Sequence, residues 1–232
     1  MYAIEAKNVS KKYFRGNHKN ILFEDMSFHV IEGEIVFISG ENKSGKSTLL
    51  KMIAAMTPPN RGKIEVLGKD LLFIENRSDW RLKHIGFLTS EDCLIPYLTI
   101  QQQLLMGQDD QKSDFEIFTE EANYILSILG IREKQLTQLP DQLSKTEQLK
   151  ITLARALMTN PRILLLDDFT KFFNSDDRFD IYCTLIQFVK KQNITLIITG
   201  ETDQCPIADR ILKLENKNLV EYVDNNYKAL LH

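Results

Sequence analysis

The stretch Gly40-Glu41-Asn42-Lys43-Ser44-Gly45-Lys46-Ser47-Thr48 constrains this chain more than any other. It has the spacing G-x-x-x-x-G-K-[ST], that of a loop whose backbone N–H groups cradle a chain of phosphates. Glu34-Ile35-Val36-Phe37-Ile38-Ser39 precedes it, a short apolar run of the kind that forms a buried strand. Leu49, Leu50, Met52, Ile53 and Met56 follow at helical spacing until Pro58-Pro59. Strand, loop and helix in that order are the context the motif requires. Gly40 and Gly45 are expected to let the backbone curl with no Cβ in the way. A helix starting near Lys46 turns its partial positive end on the phosphates. Lys46 reaches the β- and γ-phosphates, and Ser47 ligates Mg²⁺. The bland alternative is a glycine-rich turn before a surface helix; the flanking strand weighs against it. The stretch reads as a nucleotide site.

A chain of 232 residues accommodates one large domain, or a core carrying an inserted subdomain. With 43% apolar and 26% charged residues, it has the composition of a soluble globular protein. A net charge of −3 gives no electrostatic footing for nucleic acid, so no such partner is expected. Lys11, Lys12, Arg15 and Lys19 are the one basic concentration near the start, read as a solvated turn or a border of the phosphates. Cys93, Cys183 and Cys205 are odd in number and far apart, which argues against a disulfide framework or a zinc site. No signal-like segment opens the sequence, and no apolar run approaches the roughly 20 residues of a membrane-spanning helix. The expectation is a soluble intracellular protein, able to dock on a membrane protein.

Alternation predicts strands over 2–9 and 20–31, with Lys11 to Gly16 between them. Tyr13 there is either a half-buried hairpin aromatic or a ring for stacking on adenine. Arg61 to Gly68 reads as a turn and a strand, and Asp79 to Phe87 leads into another short strand. Residues 99–157 read as mostly helical, with Phe115, Phe118, Ala122, Ile125 and Leu129 on one face and Gly130 as the stop. A helix near 177–191, a strand over 194–199 and a terminal hairpin over 210–223 complete an α/β chain. The expected division is a core of residues 1–89 and 158–232, with a helical subdomain over 90–157.

Ile163-Leu164-Leu165-Leu166 ends in Asp167, placing a carboxylate at the C-terminal edge of a buried strand, where α/β sheets bind ligands. With the phosphate loop upstream, Asp167 reads as the second contact to Mg²⁺, direct or through water. At this point the chain resembles the nucleotide-binding subunits of ABC transporters over essentially its full length. Ile85-Gly86-Phe87-Leu88-Thr89-Ser90 is similar to the strand that ends in that family's Q-loop, and Leu98-Thr99-Ile100 to the segment after it. Leu143-Ser144 opens the signature; Ala154-Arg155-Ala156-Leu157 and Asn160-Pro161 resemble its downstream helix. Ala208-Asp209-Arg210-Ile211 resembles the stretch after the switch histidine. The resemblance implies an α/β P-loop NTPase fold, a RecA-like core with an antiparallel β subdomain and an inserted helical subdomain. It implies ATP and Mg²⁺ as cofactors, Tyr13 stacked on adenine and a second ATP-binding subunit of the same or another chain. It further implies a multi-span membrane protein as partner, so that the chain sits in the cytoplasm, peripheral on the inner face of the cell membrane. The insertion from Gly68 to Arg81 looks like the subgroup serving lipoprotein release, macrolide efflux, peptide-antibiotic sensing and bacterial cell division.

The departures from the family pattern carry the expectation about turnover. The Q-loop glutamine is Ser90, the signature is Leu143-Ser144-Lys145-Thr146-Glu147, and the water-polarising glutamate is Asp168. The D-loop aspartate is Asn174 and the switch histidine is Gly200. Asp168 is one methylene short, about 1.5 Å of reach. A misplacement of about 1 Å can cost ~10²-fold in rate, and general-base help is itself worth about 10²–10⁴-fold. Lys145 and Thr146 put side chains where the family's glycines admit a γ-phosphate across a dimer. Lys145 could instead offer its ammonium there. Ser144-Lys145-Thr146-Glu147 still reads as a capping box at a helix start. Two readings stay open: an ATP-binding subunit with slow or absent hydrolysis that regulates or scaffolds a membrane partner, and an active transport ATPase with Asp168 as base. A non-transport member acting on ribosomes or DNA, or a P-loop kinase, lacks supporting features.

Overall fold

The computed structural model describes residues 1–15, 18–89, 94–106, 120–169, 175–201 and 207–222, with positions 15, 18, 120, 121 and 175–179 described by backbone alone. Ser90, Cys93, Phe115, Phe118, Asn174 and Cys205 lie outside these residues or outside the described side chains. Cys183 is half-buried and free.

Two sheets stack around the helix that follows the phosphate loop. The first is antiparallel: β1 (Tyr2–Arg15), β2 (His18–Ile31), β4 (Arg61–Val66) and β5 (Lys69–Asp70), in the order β2-β1-β4-β5. The second comprises β3 (Ile35–Gly40), β6 (Ile85–Leu88), β7 (Ile163–Leu166), β8 (Thr195–Gly200), β9 (Arg210–Glu215) and β10 (Asn218–Glu221). Its order is β10-β9-β3-β8-β7-β6, parallel except for β10. Every residue of β3, β7 and β8 is buried, as expected of parallel strands covered on both faces.

The two faces divide the core by the two-residue period of a strand. Ile35, Phe37, Leu164, Leu166, Leu196 and Ile198 point to one side. There they meet helices α3 (Ile100–Leu105), α4 (Glu120–Ile128), α5 (Lys145–Leu157) and α6 (Ser175–Lys191). Val36, Ile38, Ile163, Leu165 and Ile197 point to the other, against helix α1 (Lys46–Ile53), Trp80 of α2 (Arg77–His84) and the antiparallel sheet. The helical stretch therefore shares one core with the sheet it interrupts.

Where sequence and structure differ, local backbone geometry is the reason. The first two strands run further than 2–9 and 20–31, because bulges between Ala6 and Lys12 break the alternation without ending the pairing. Tyr13 consequently lies within β1 rather than in a turn. Helix α1 stops at Ile53, before Met56, which is exposed. Ala55 takes φ 55° and Met56 N–H donates to the Lys51 carbonyl, a left-handed helix stop made without glycine. Helix α2 has no counterpart in the apolar pattern, since Trp80 is its buried anchor; Asn76 caps it. Gly130 closes α4 as expected, with φ 66° and the Ile131 N–H donating to the Leu126 carbonyl. The expected terminal hairpin forms through Asn216 and Lys217, both at positive φ, as a two-residue turn requires.

Leu165 is fully buried at the centre of β7. Leu165→Ala is expected to destabilise the fold by about 2–5 kcal/mol, read as a lower urea midpoint at unchanged slope.

Candidate functional site

Strands β3, β8 and β7 are neighbours and end at one edge, and this places the loops that follow them together. Gly40 is the last residue of β3. Its φ is not positive; what demands glycine is close approach, since a Cβ would stand 2.9 Å from Ser44 Oγ and 3.2 Å from the Leu214 carbonyl. The curl itself is made at Lys43, φ 66°, and Gly45, φ 111°. The expectation that both glycines supply the bend is thus corrected to Gly45 and Lys43. Gly45 is also the N-cap of α1, with no side-chain cap and no acidic residue in the first turn. The N–H groups at Lys46, Ser47 and Thr48 therefore begin a helix that no side chain of its own caps, a setting that favours an anion.

Lys46 is 4% exposed, and its ammonium donates to the carbonyls of Gly40 at 2.7 Å and Glu41 at 3.1 Å. A buried cation is costly unless its hydrogen bonds are met. The loop meets them with its own backbone, which fixes the charge in the cradle.

Opposite the loop, Asp167 is 3% exposed at the end of β7. Thr199 of β8, fully buried, donates its hydroxyl to Asp167 Oδ1 at 2.9 Å and accepts the Asp168 N–H at 3.0 Å. Asp168 takes φ 48° and is half-buried. Phe169 is fully buried, edge-on to Tyr182. Gly200 pairs with Ser39 of β3, one residue before the phosphate loop. Glu201 follows, and its carboxylate accepts a hydrogen bond from Asn42 Nδ2 at 3.2 Å. Thr199 and Glu201 are site residues that the sequence reading passed over. Thr199 was absorbed in an apolar run, and a lone glutamate after a strand carries no pattern.

Tyr13 is 44% exposed and pairs with Asn20. A Cβ on Gly45 would stand 3.0 Å from the Phe23 ring and 3.6 Å from Leu22, so β2 lies against the loop two residues past Asn20. Tyr13 is then ~7 Å along the strand from the phosphate cradle. A polar cavity of about 690 Å³ lies beside the loop, lined by Asn20, Ile21 and Leu22 of β2, by Gly40, Lys43 and Ser44, and by the β9–β10 turn at Asn216 and Lys217; Tyr13 does not line it. Of the basic cluster, read as a solvated turn or a border of the phosphates, Lys19 is exposed but Lys11 is not. Lys11 is 6% exposed, donates to Thr57 Oγ1 at 3.0 Å and to the Pro58 carbonyl at 2.7 Å, and lies 4.9 Å from the centre of the Tyr13 ring.

The signature stretch forms the start of α5. Leu143 is buried, Lys145 exposed and Thr146 half-buried. Ser144 Oγ accepts the Glu147 N–H, and Glu147 Oε2 accepts the Ser144 N–H at 2.8 Å and its hydroxyl at 2.7 Å. Gln135 donates to the other carboxylate oxygen. These bonds, the Ser144 hydroxyl first, hold the Glu147 carboxyl below the usual carboxylate range. The capping box is formed, and the helix N-terminus already holds its own carboxylate.

A strand–loop–helix phosphate cradle beside an acidic strand end, within a sheet covered by helices and an antiparallel subdomain, defines a P-loop NTPase. The match to known proteins narrows this further: the ABC transporter family pattern covers residues 23–171, and the chain belongs to that family as an ATP-binding domain. The putative hemin import ATP-binding protein HrtA of Staphylococcus haemolyticus is 27% identical over 92% of this chain and 97% of its own. An uncharacterized ABC transporter ATP-binding protein of Methanocaldococcus jannaschii is 30% identical over 95% and 99%. The macrolide export ATP-binding/permease protein MacB of Haemophilus ducreyi is 28% identical over 98% of this chain, which spans 33% of MacB. The dimeric post-hydrolysis structure of the ATP-binding cassette MJ0796, bound to ADP and Pi, superposes with a TM-score of 0.85 at 25% identity, covering 94% of this chain and 97% of that one.

Because the Glu147 carboxyl is held below its unfolded value, its contribution is fully present above the unfolded pKa and is lost as pH falls through the folded one. Glu147→Gln is therefore expected to flatten the fall in thermal stability on the acid side of that unfolded value, measured by melting at successive pH. Ser144→Ala removes the cap and is expected to cost about 1 kcal/mol.

Proposed function

We propose that this chain is the ATP-binding subunit of a membrane complex that binds Mg-ATP at Gly40–Thr48 but hydrolyses it slowly or not at all, regulating or scaffolding its partner. One observation carries the reading. The cradle is complete, with Lys46 set inside it, whereas the strand edge opposite presents Gly200, with no side chain to meet a terminal phosphate. The donor set fits the nucleotide and the ion: an uncapped helix start, a buried ammonium and a buried carboxylate facing one edge. Ser47 and Asp167 are the residues that would hold Mg²⁺, which when bound offsets phosphate charge. Thr199 keeps Asp167 oriented through its hydroxyl. Tyr13, exposed on β1 opposite Asn20, is assigned to the adenine ring. In the sequence, Ser90 at the Q-loop position carries a hydroxyl instead of the family's longer amide.

The signature supports the same reading. In a cassette dimer this stretch faces the nucleotide of the other subunit. Here the start of α5 carries Glu147, a negative group in its first turn, and the Lys145 and Thr146 side chains. Paired with a fully competent cassette, the chain would impair both sites, one through Asp168 and Gly200 and the other through its signature. Helices α3–α5, within residues 90–157, are assigned to the signature subdomain, and the remainder to the core. The likeness to MacB, a macrolide export ATP-binding/permease protein, supports the efflux part of the expected subgroup and a permease as partner; the chain is assigned to the inner face of the cell membrane beside it. No helix among the described residues is long and apolar enough to cross a membrane. An apolar groove of about 450 Å³ beside β6, lined by Met56, Leu82, Phe87 and Met106, offers the partner a seat.

The second reading, an active transport ATPase, rests on Asp168, whose N–H is fixed by Thr199 next to Asp167. Single-turnover measurements with the partner present separate the two. Tight Mg-ATP binding, lost in Lys46→Ala, with no phosphate released over hours supports the first. A robust rate abolished by Asp168→Asn supports the second. Asp168→Glu combined with Gly200→His is expected to raise phosphate release by at least about 10²-fold, more than either change alone, because such groups act as one unit.

A further inference from the structure

We infer that Glu201 filters the nucleotide by charge, weakening the hold of the phosphate loop on a triphosphate relative to a diphosphate. The inference rests on the nucleotide reading of that loop and gives Glu201 a role in it.

Its position is delivered by the sheet. Gly200 pairs with Ser39, which immediately precedes the loop, so the residue after Gly200 emerges beside the loop's first half. Glu201 is half-buried there, and its Oε1 takes the Nδ2 hydrogen of Asn42 at 3.2 Å. Asn42 lies between Glu41, whose carbonyl holds the Lys46 ammonium, and Lys43, where the loop turns at positive φ. A carboxylate is thereby fastened to a loop whose backbone and buried cation favour anions.

Like charges decide the sign. Each additional negative charge on the ligand is repelled by the same carboxylate, so the penalty grows from diphosphate to triphosphate. At separations of about 5–8 Å in a partly solvated site, one extra charge corresponds to roughly a tenfold difference in affinity. Mg²⁺ lowers the ligand's net charge, and salt screens the interaction, so both shrink the filter. Asp168 and Gly200 limit the chemical step in the proposed function; Glu201 sets which nucleotide stays bound.

The test is calorimetric titration of the full chain with ATP and with ADP, each with and without Mg²⁺. It compares wild type, Glu201→Gln, Glu201→Ala and Asn42→Ala, with melting curves to confirm folding. The two Glu201 variants are expected to bind both nucleotides more tightly, with a gain for ATP about tenfold larger than that for ADP. The gain is larger without Mg²⁺ and fades as salt rises from about 0.05 M to about 0.5 M. Asn42→Ala keeps the carboxylate and is expected to lack the gain. Equal changes for the two nucleotides, or weaker ATP binding in Glu201→Gln, would overturn the inference and leave Glu201 as a support for Asn42. A wild type that binds neither nucleotide, indistinguishable from Lys46→Ala, would overturn the nucleotide reading together with it.

Discussion

The ammonium of Lys46, buried and tied to the carbonyls of Gly40 and Glu41, is the interaction on which the rest of the site depends. A buried charge without partners would be expelled or neutralised. Here the loop curls around the cation and the cation holds the loop, so a positive centre stands at the sheet edge beside an uncapped helix start. That arrangement needs β3 in the middle of the sheet, Gly45 free to take φ 111°, and Phe23 of the antiparallel sheet closing over it. The binding half of the machinery is a product of the core.

The acidic strand end is held differently. Thr199 links the ends of β7 and β8 by accepting from Asp168 and donating to Asp167. The acidic pair is therefore oriented by the fold, whatever the rate it supports. Gly200 and Asp168 change the reach of side chains at that edge without changing the edge. The signature likewise keeps its helix: Ser144 and Glu147 satisfy each other, and Leu143 stays in the core.

Much of this was legible in the sequence where a physical period or a fixed spacing wrote it. The phosphate loop, the buried strand ending at Asp167, the capping box at Ser144 and the stop at Gly130 each rest on contacts a few residues apart. What was illegible has specific reasons. Bulges in β1 hid its length, because an inserted residue flips the alternation. Helix α2 buries Trp80 alone, so no apolar stripe announced it. Lys11 read as solvent-facing by charge, yet its ammonium is enclosed by Thr57 and Pro58, 46 and 47 residues away in the chain.

The sequence by itself determined the chemistry on offer: a phosphate loop with its lysine, an acidic strand end at Asp167 and Asp168, and a capped helix start at Ser144. These are local, since residue type and spacing within a few positions suffice. Tertiary structure alone decided which of them meet. Pairing of β3 with β8 brought Glu201 to Asn42, and pairing of β8 with β7 brought Thr199 to Asp167. Those partners lie 159 and 32 residues apart, and only hydrogen-bonded strand register, which no short-range pattern encodes, brings them into contact.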